Sequence, residues 1–359
     1  MTTCAETEDD EPQMVKESSE VNAPRGRRLP VMGDVARLAG VSHMTVSRVL
    51  NEPESVRPKT RERVLLAIEQ LGYRRNSAAR SLVTRRSQTL GVVCFDTTLY
   101  GPASMLNGIE HAAEDAGYAV SVASLRRPTA EAATQAVQRL VGQSVDGLVL
   151  IAPQAAEAMA FVRALPTDVP VVAVENALPN VTSVSVDQVL GARMLTEHLL
   201  SLGHETVHHV RGPSDWSEAN GRVDGWLAAL EENGRTVPRE LVGDWSAKSG
   251  YVAGQKLARD RRATAVFAAN DSMALGVLRG LHEAGVRVPE DVSVVGFDDI
   301  PEAAFMTPPL TTVSQPFQDV GRRSIEILLS EIEGGEEPGA SSLIPPELVV
   351  RNSTSHRRR

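Results

Sequence analysis

At 359 residues, with 42% hydrophobic and 23% charged positions, the chain has room for a small module beside a large body and the composition of a folded globular protein. No apolar run approaches the roughly 20 residues that span a bilayer, residues 1–20 lack the apolar core of a secretory signal, and Cys4 and Cys94 make neither a disulfide framework nor a zinc spacing. A cytoplasmic protein without membrane, metal or cofactor is expected. The net charge of −9 hides three unlike parts: −6 over residues 1–24, +9 over 25–87, and −12 over the rest. A basic block of that size beside an acidic body points to a polyanion partner, a solvated charged surface being the alternative.

Residues 1–29 carry little apolar pattern and end in Arg25-Gly26-Arg27-Arg28; they read as a disordered tail that adds phosphate contacts. Three short amphipathic helices follow between Leu29 and Tyr73. The first runs through Val35–Ala39 and ends at Gly40, which can take the left-handed conformation of a tight turn. Ser42 then caps a second helix. Val46, Val49 and Leu50 make its buried stripe, and His43, Met44, Ser47, Arg48 and Asn51 its outer face. This is the pattern of a helix-turn-helix, whose second helix enters the major groove of DNA. Ordinary packing of two helices would not call for a capped turn, a polar outer face and a basic block together. The third helix begins at Pro58, buries Val64, Leu65, Ile68 and Leu71, and stops at Gly72. Its polar start, Lys59-Thr60-Arg61, would approach phosphates. Residues 74–87 read as a linker.

From Thr89 onward short apolar strands alternate with helices. Leu90–Phe95, Ala119–Ala123, Gly147–Ile151, Val169–Val174, Val207–Arg211, Ala265–Ala268 and Val292–Gly296 have the continuous apolar character of parallel strands buried on both faces. Met105–Ala116, Ala130–Val141, Val189–Leu202 and Ser272–Glu283 read as the intervening helices. Two successive groups of strands imply two doubly wound subdomains with a cleft, and ligands bind such sheets outside the carboxyl ends of their strands. The fold class is therefore an all-α helix-turn-helix headpiece followed by an α/β core. Planar polar groups, acids and an aromatic ring that could bond a ligand lie at strand ends. They are Glu175, Asn270-Asp271, Asp298-Asp299 and Trp245, with Arg222 opening the helix after the loop 212–217.

The run Asp34-Val-Ala-x-x-Ala-Gly-Val-Ser-x-x-Thr-Val-Ser-Arg-Val-Leu-Asn51 resembles the LacI/GalR family of transcriptional regulators. The resemblance continues through Thr60–Val64, Gly72-Tyr73 and Asn76–Leu82, and covers roughly residues 29–355. Core runs that carry it include Gly243-Asp-Trp-Ser-Ala247, Ala269–Gly276, Val294–Asp299 and Pro308–Phe317. It implies a core like that of periplasmic sugar-binding proteins, and a sugar-operon repressor that leaves a palindromic operator when a small sugar, a galactoside first, fills the core. It also implies that Ser42, Asn51, Thr60 and Asn76 contact phosphate, with Thr45 in the same DNA-facing set, and that His43, Met44, Ser47 and Arg48 read bases. A hinge helix, Ala78–Leu82, would order on DNA and wedge Leu82 into the minor groove; a linker leucine packed on the core is the alternative. In the core, Arg222, Asn270 and Asp298 would bond sugar hydroxyls with Glu175 on the opposite lobe. Trp245 and Phe317 would flank the ring, and Leu99, Pro102 and Met105 would line its apolar end. Glu175 stands where the resembled pattern has an aspartate, and Trp216 and Glu218 where it has serines, which narrows the pocket. Against these roles stand helix caps for Asp271 and Asp299, a core position for Trp226, and a structural ion pair for Arg222.

The organisation expected is a tail (1–29), a headpiece (30–75), a hinge and linker (76–87) and a core (88–355). Within the core, an N-subdomain of about 88–187 and 315–344 would face a C-subdomain of about 188–314 and 345–355. One recognition helix reads a half-site, so a homodimer on double-stranded operator DNA is expected, and the last residues lack the apolar heptads of a tetramerising tail. The protein would work in the cytoplasm at the nucleoid. Whether the sugar acts as inducer or corepressor stays open, closeness of the resemblance favouring an inducer. Two rivals fare worse. An enzyme would need motifs such as G-x-G-x-x-G, G-x4-G-K-[ST] or G-x-S-x-G, which the sequence does not contain, and its one H-E-x-x-H match, His204-Glu-Thr-Val-His208, runs into the strand Val207–Arg211 instead of lying on a helix. A transporter's solute-binding protein would need a secretion signal and have no use for residues 29–87. His204, His208 and His209 read as surface or strand-edge residues rather than metal ligands.

Overall fold

The computed structural model describes residues 30–73, 86–125, 129–151, 169–175, 178, 180–335 and 341–357. Contacts divide the chain into two units, 1–77 and 78–359.

In the first unit, α1 (Met32–Ala39), α2 (His43–Asn51) and α3 (Pro58–Leu71) close around Val35, Ala36, Ala39, Val46, Val49, Val64 and Ala67. Helix α1 starts three residues earlier than the apolar pattern indicates, because the Asp34 carboxylate accepts the Val31 backbone N–H at 3.0 Å and closes an extra first turn. Gly40 ends it at φ +62°, a conformation that a side chain would strain. Ser42 caps α2, its Oγ accepting the Thr45 N–H at 3.1 Å. Pro58 opens α3, and Gly72 ends it at φ +60°. One expectation fails here: Leu65 is 51% exposed. The buried stripe of α3 passes through Val64 and Ala67, and a step of one residue turns a helix by about 100°, which carries Leu65 outward.

The second unit holds two parallel sheets. The first is built from β1 (Thr89–Phe95), β2 (Ala119–Leu125), β3 (Gly147–Ile151), β4 (Val171–Val174), β5 (Thr182–Val186) and β11 (Ser341–Ile344), in the order β11-β5-β4-β3-β1-β2. Strand alternation sends Leu90, Val92 and Cys94 to one face, against α4 (Tyr100–Asp115) and α10 (Phe317–Ile332). Val93 and Phe95 go to the other face, against α5 (Ala130–Gly142). Both faces are covered, as an all-parallel sheet requires. Edge strand β2 departs from this, with Ala119, Val122 and Ser124 exposed.

The second sheet has the order β7-β6-β8-β9, from β6 (His208–Arg211), β7 (Leu241–Val242), β8 (Ala265–Ala268) and β9 (Ser293–Val295). Ala265, Phe267 and Val295 pack with α6 (Gln188–Ser201) and α7 (Ser217–Glu232) on one face. Val266, Ala268 and Val294 pack with α8 (Ala247–Leu257) and α9 (Asp271–Glu283) on the other. The last two helices touch through glycines: a Cβ on Gly276 would lie 1.9 Å from the Ala247 carbonyl oxygen. An antiparallel ribbon, β10 (Thr312–Ser314) with β12 (Glu347–Val349), bridges to the edge of this sheet at Val295 and Asp298. The chain thus passes between the sheets after β5, after β10 and after β11. Among the described residues no helix is long and apolar enough to cross a membrane.

Candidate functional site

Two surfaces carry chemistry. On the headpiece, Ser42, His43, Met44, Arg48 and Asn51 are exposed, and Thr45, Ser47 and Thr60 half-buried. The first turn of α2 is locked by Ser42 Oγ, 2.9 Å from Thr45 Oγ1, and Asn51 Nδ2 donates to Ser47 Oγ at 3.3 Å. Met44 is 64% exposed, an apolar side chain presented among polar ones. The Arg61 guanidinium is 2.6 Å from Glu54 and donates to the Pro53 carbonyl, so it ties α3 to the preceding turn. Asn76, Leu82 and the expected hinge helix lie outside the described residues.

In the second unit a cavity of about 550 Å³ is lined by Leu99, Pro102, Met105, Glu175, Arg222, Trp245, Asn270, Asp298 and Phe317, all nine of the core residues singled out in the sequence. Topology explains the convergence. Glu175 follows β4, Trp245 follows β7, Asn270 follows β8, Asp298 follows β9, and Phe317 follows β10. These are carboxyl ends of strands, where open α/β sheets bind ligands. Arg222 lies in the second turn of α7 rather than opening it, since that helix begins at Ser217.

The centre of the cavity is one hydrogen-bonded network. Arg222 Nε donates to Gln188 Oε1 at 2.9 Å, its Nη1 to the Ala269 carbonyl, and its Nη2 lies 3.4 Å from Asp298 Oδ1. Gln188 Nε2 donates to Gln315 Oε1 (2.9 Å) and Glu175 Oε2 (3.3 Å), and Gln315 Nε2 donates to Asp298 Oδ1 at 2.7 Å. The guanidinium also stacks over Phe297, 3.9 Å from the ring centroid, and faces Trp245 at 5.4 Å. Gln188 and Gln315 were absent from the sequence expectation. Each sits just past a strand, β5 and β10, so the rule that found the acids would have found them.

Three cavity residues hold left-handed backbone without being glycine: Glu175 at φ +67°, Trp245 at +70° and Asp298 at +110°. Such conformations cost on the order of 1–3 kcal/mol each and gather at ligand sites. Gly212 completes the positioning of Trp245, because a Cβ there would meet the indole edge at 2.3 Å. The Trp245 Nε1–H is buried and has no hydrogen-bond partner among the described residues.

Burial pushes the Glu175 carboxyl up to about 8, with repulsion from Glu218 adding to it. Burial raises Glu218 to about 7 and Asp298 to about 6, the latter held down by Arg222. Glu218 is 6% exposed and accepts from the Ser217 hydroxyl at 3.1 Å.

Several alternatives resolve. Asp271 does not cap α9; its carboxylate accepts the Ile300 N–H and the Thr312 hydroxyl, while Asn270 is the cap, accepting the Met273 N–H at 2.8 Å. Asn270 also donates to the Trp245 carbonyl. Asp299 pairs with Arg351 at 2.7 Å. Trp226 is fully buried and donates to the Val207 carbonyl. His204 and His209 are not on the surface: His204 contacts Thr264 and Ser293, and His209 stacks on Phe267 with centroids 4.5 Å apart. Among the described residues no cluster of His, Cys, Asp or Glu is arranged to hold a metal.

Comparison with known proteins covers both units. Residues 31–76 match the model of bacterial regulatory proteins, lacI family, and residues 196–354 that of the periplasmic binding protein-like domain. The lactose operon repressor of Escherichia coli (strain K12) is 36% identical over 324 residues, 89% of this chain and 89% of its own length. The ribose operon repressor of the same strain is 33% identical over 330 residues, 90% of this chain and all of the relative. The crystal structure of the Lac repressor dimer bound to operator and the anti-inducer ONPF superposes with a TM-score of 0.83 at 36% identity, covering 91% of this chain and 99% of that one. With a headpiece and an effector-type core both matched nearly end to end, the chain belongs to the lacI family of bacterial regulatory proteins and is a DNA-binding transcriptional repressor, not an enzyme.

Proposed function

We propose that this repressor binds an inverted-repeat operator as a homodimer and leaves it when a small polyol, a sugar with a galactoside as first candidate, fills the core cavity. The observation that carries the reading is the cavity itself: one guanidinium, three amides and four carboxyls converge between aromatic walls. That set can donate to and accept from several hydroxyls at once. Arg222, Asn270 and Asp298 bond the hydroxyls from one side and Glu175 from the other. Trp245 and Phe317 flank the ring, and Leu99, Pro102 and Met105 meet its apolar end. On the headpiece, His43, Met44, Ser47 and Arg48 read base edges, while Ser42, Thr45, Asn51, Thr60 and Asn76 fix the register on phosphates. Leu82, at the end of a hinge helix over Ala78–Leu82, wedges the minor groove.

The corresponding division is a tail (1–29), a headpiece (30–75), a hinge (76–87) and a core (88–355) with subdomains of about 88–187 and 315–344, and 188–314 and 345–355. Two headpieces match two half-sites, and the Lac repressor dimer bound to operator supports that arrangement. The site of action is the nucleoid in the cytoplasm. An inducer is favoured over a corepressor by the likeness to the lactose operon repressor. The test is genome-wide footprinting with and without candidate sugars, followed by purified protein on the recovered duplex. Specific binding to an inverted repeat, released by a sugar, is expected. Equal affinity for that repeat and for random DNA at moderate salt overturns the reading.

A further inference from the structure

The charges on the cavity wall do not balance. Arg222 is the only cation lining it among the described residues, and Asp298, Gln188 and the Ala269 carbonyl already occupy that guanidinium. Of the other carboxyls on the wall, Glu302 is exposed, and Glu175 and Glu218 are both buried. Glu175 accepts only neutral donors, the Val186 N–H at 3.2 Å and the Gln188 amide, and Glu218 accepts the Ser217 hydroxyl. Two carboxyls facing a cavity without a cation of their own are costly to ionise together, and burial accordingly raises both. A neutral sugar would leave that repulsion in place, and an anion would worsen it.

The aromatic lining points the same way. Tyr100, Trp216, Trp245 and Phe317 all border the cavity, including two of the chain's three tryptophans. Trp216 and Trp245 meet edge to face at 5.6 Å, as do Tyr100 and Phe317 at 6.0 Å. Ring faces beside buried carboxyls are the surroundings that favour an organic cation. The buried Trp245 N–H, without a partner in a residue that lines the cavity, is a further unmet group on that wall.

We propose that the effector is an amino sugar, a polyol bearing one protonated amine, whose ammonium is held by Glu175 and Glu218 while the Arg222 network takes its hydroxyls. An ammonium has three donors and no acceptor, which suits two carboxylates. The proposal rests on the reading that this cavity holds the effector and adds the chemical class. Glu218 is then the residue that sets specificity for the charged group.

The experiment is calorimetric titration of the full chain at pH 7 with matched sets: galactosamine, N-acetylgalactosamine and galactose, and glucosamine, N-acetylglucosamine and glucose. One amine should bind at least about tenfold more tightly than both its acetylated and its neutral partner, roughly 1.4 kcal/mol. Glu218→Gln should shrink that advantage to less than about threefold, its melting temperature showing that it folds. Independently of any variant, the amine should release protons from the carboxyl pair, seen as a binding heat that depends on buffer ionisation, and the neutral sugar should not. If a neutral or acetylated sugar binds as well as its amine, the charge assignment is wrong and the polyol reading survives. If none of the six binds, both fall.

Discussion

Replacing Arg222 by alanine tests the central network without knowledge of operator or effector. The substitution strands Gln188 Oε1 and the Ala269 carbonyl in a buried place, at about 1–3 kcal/mol for each group left unpaired. It also removes the cation beside Asp298, 3.4 Å away. Breaking a buried pair costs about 3–5 kcal/mol when the survivor stays charged, but Asp298 can escape by taking a proton. Its carboxyl already sits at about 6, raised by burial and held down chiefly by Arg222, so without Arg222 it climbs further. The sign follows from linkage. Between pH 6 and the variant's higher value, the native variant holds a proton that the native wild type has lost. Its stability therefore falls relative to wild type by up to about 1.4 kcal/mol per pH unit as pH rises. At pH 5.5 both native states are mostly protonated at Asp298 and the penalty is smaller. Urea unfolding followed by tryptophan emission at pH 5.5 and 7.5 should give a penalty of about 2–4 kcal/mol at the higher pH and visibly less at the lower. In an Asp298→Asn background the difference between the two pH values should shrink, the remainder coming from Glu175 and Glu218, which Arg222 also holds down. An equal penalty at both would show that Asp298 does not titrate against Arg222. On the proposed function the same variant loses about ten- to 150-fold in effector affinity, the worth of a charge-assisted hydrogen bond, while still gripping its operator.

Arg48→Ala should flatten base preference at one position of each half-site by about 1–3 kcal/mol, read by binding to a panel of single-base operator variants; uniform weakening across the panel would assign Arg48 to phosphate instead. Ser42→Ala should cost about 1 kcal/mol of helix stability through loss of the cap, seen as faster amide exchange at Thr45 and Val46, and unchanged exchange would refute the capping role. Gly212→Ala forces a Cβ to within 2.3 Å of the Trp245 ring, so effector affinity should drop and indole emission shift; wild-type values for both would mean that the indole is not held where the ligand needs it.

The headpiece was legible because its constraints are local. A left-handed glycine, a serine cap and a three-residue stripe lie within a dozen positions, and each forces a neighbour. Leu65 escaped because a helix with apolar residues at consecutive positions has more than one possible stripe, and only the facing helices choose between them. The cavity was legible to the extent that strand ends are legible, which is why nine residues from distant parts of the chain meet. Gln188 and Gln315 carry neither charge nor ring to mark them, and their role lies in partners 13 to 127 residues away. His204 was misread, and the cap alternative for Asp271 fails, for the same reason. A histidine beside Gly203 looks superficial until Ser293 and Thr264 close over it, and an aspartate at a helix start looks like a cap until Thr312 arrives from 41 residues on.

Why a polyol should alter DNA binding at all can be argued from where the network sits. Gln188 lies just after the chain's first passage between the sheets and Gln315 on its second, and the two are bonded to each other, to Arg222 and to Asp298. A ligand hydroxyl that takes any of these partners exchanges a bond between passages for a bond to itself. Each exchange is worth about 0.5–1.5 kcal/mol net, so two or three of them suffice for the 1–3 kcal/mol typical of allosteric coupling, about 5- to 150-fold in affinity. Reciprocity then requires operator binding to change the effector's affinity by the same factor. Gln315→Leu isolates this step, since it cuts the tie between passages without touching the headpiece or the Arg222 side chain. The variant should still bind effector, but the ratio of operator affinities measured with and without it should fall toward one. A ratio equal to that of the wild type would place the coupling elsewhere than in these side chains.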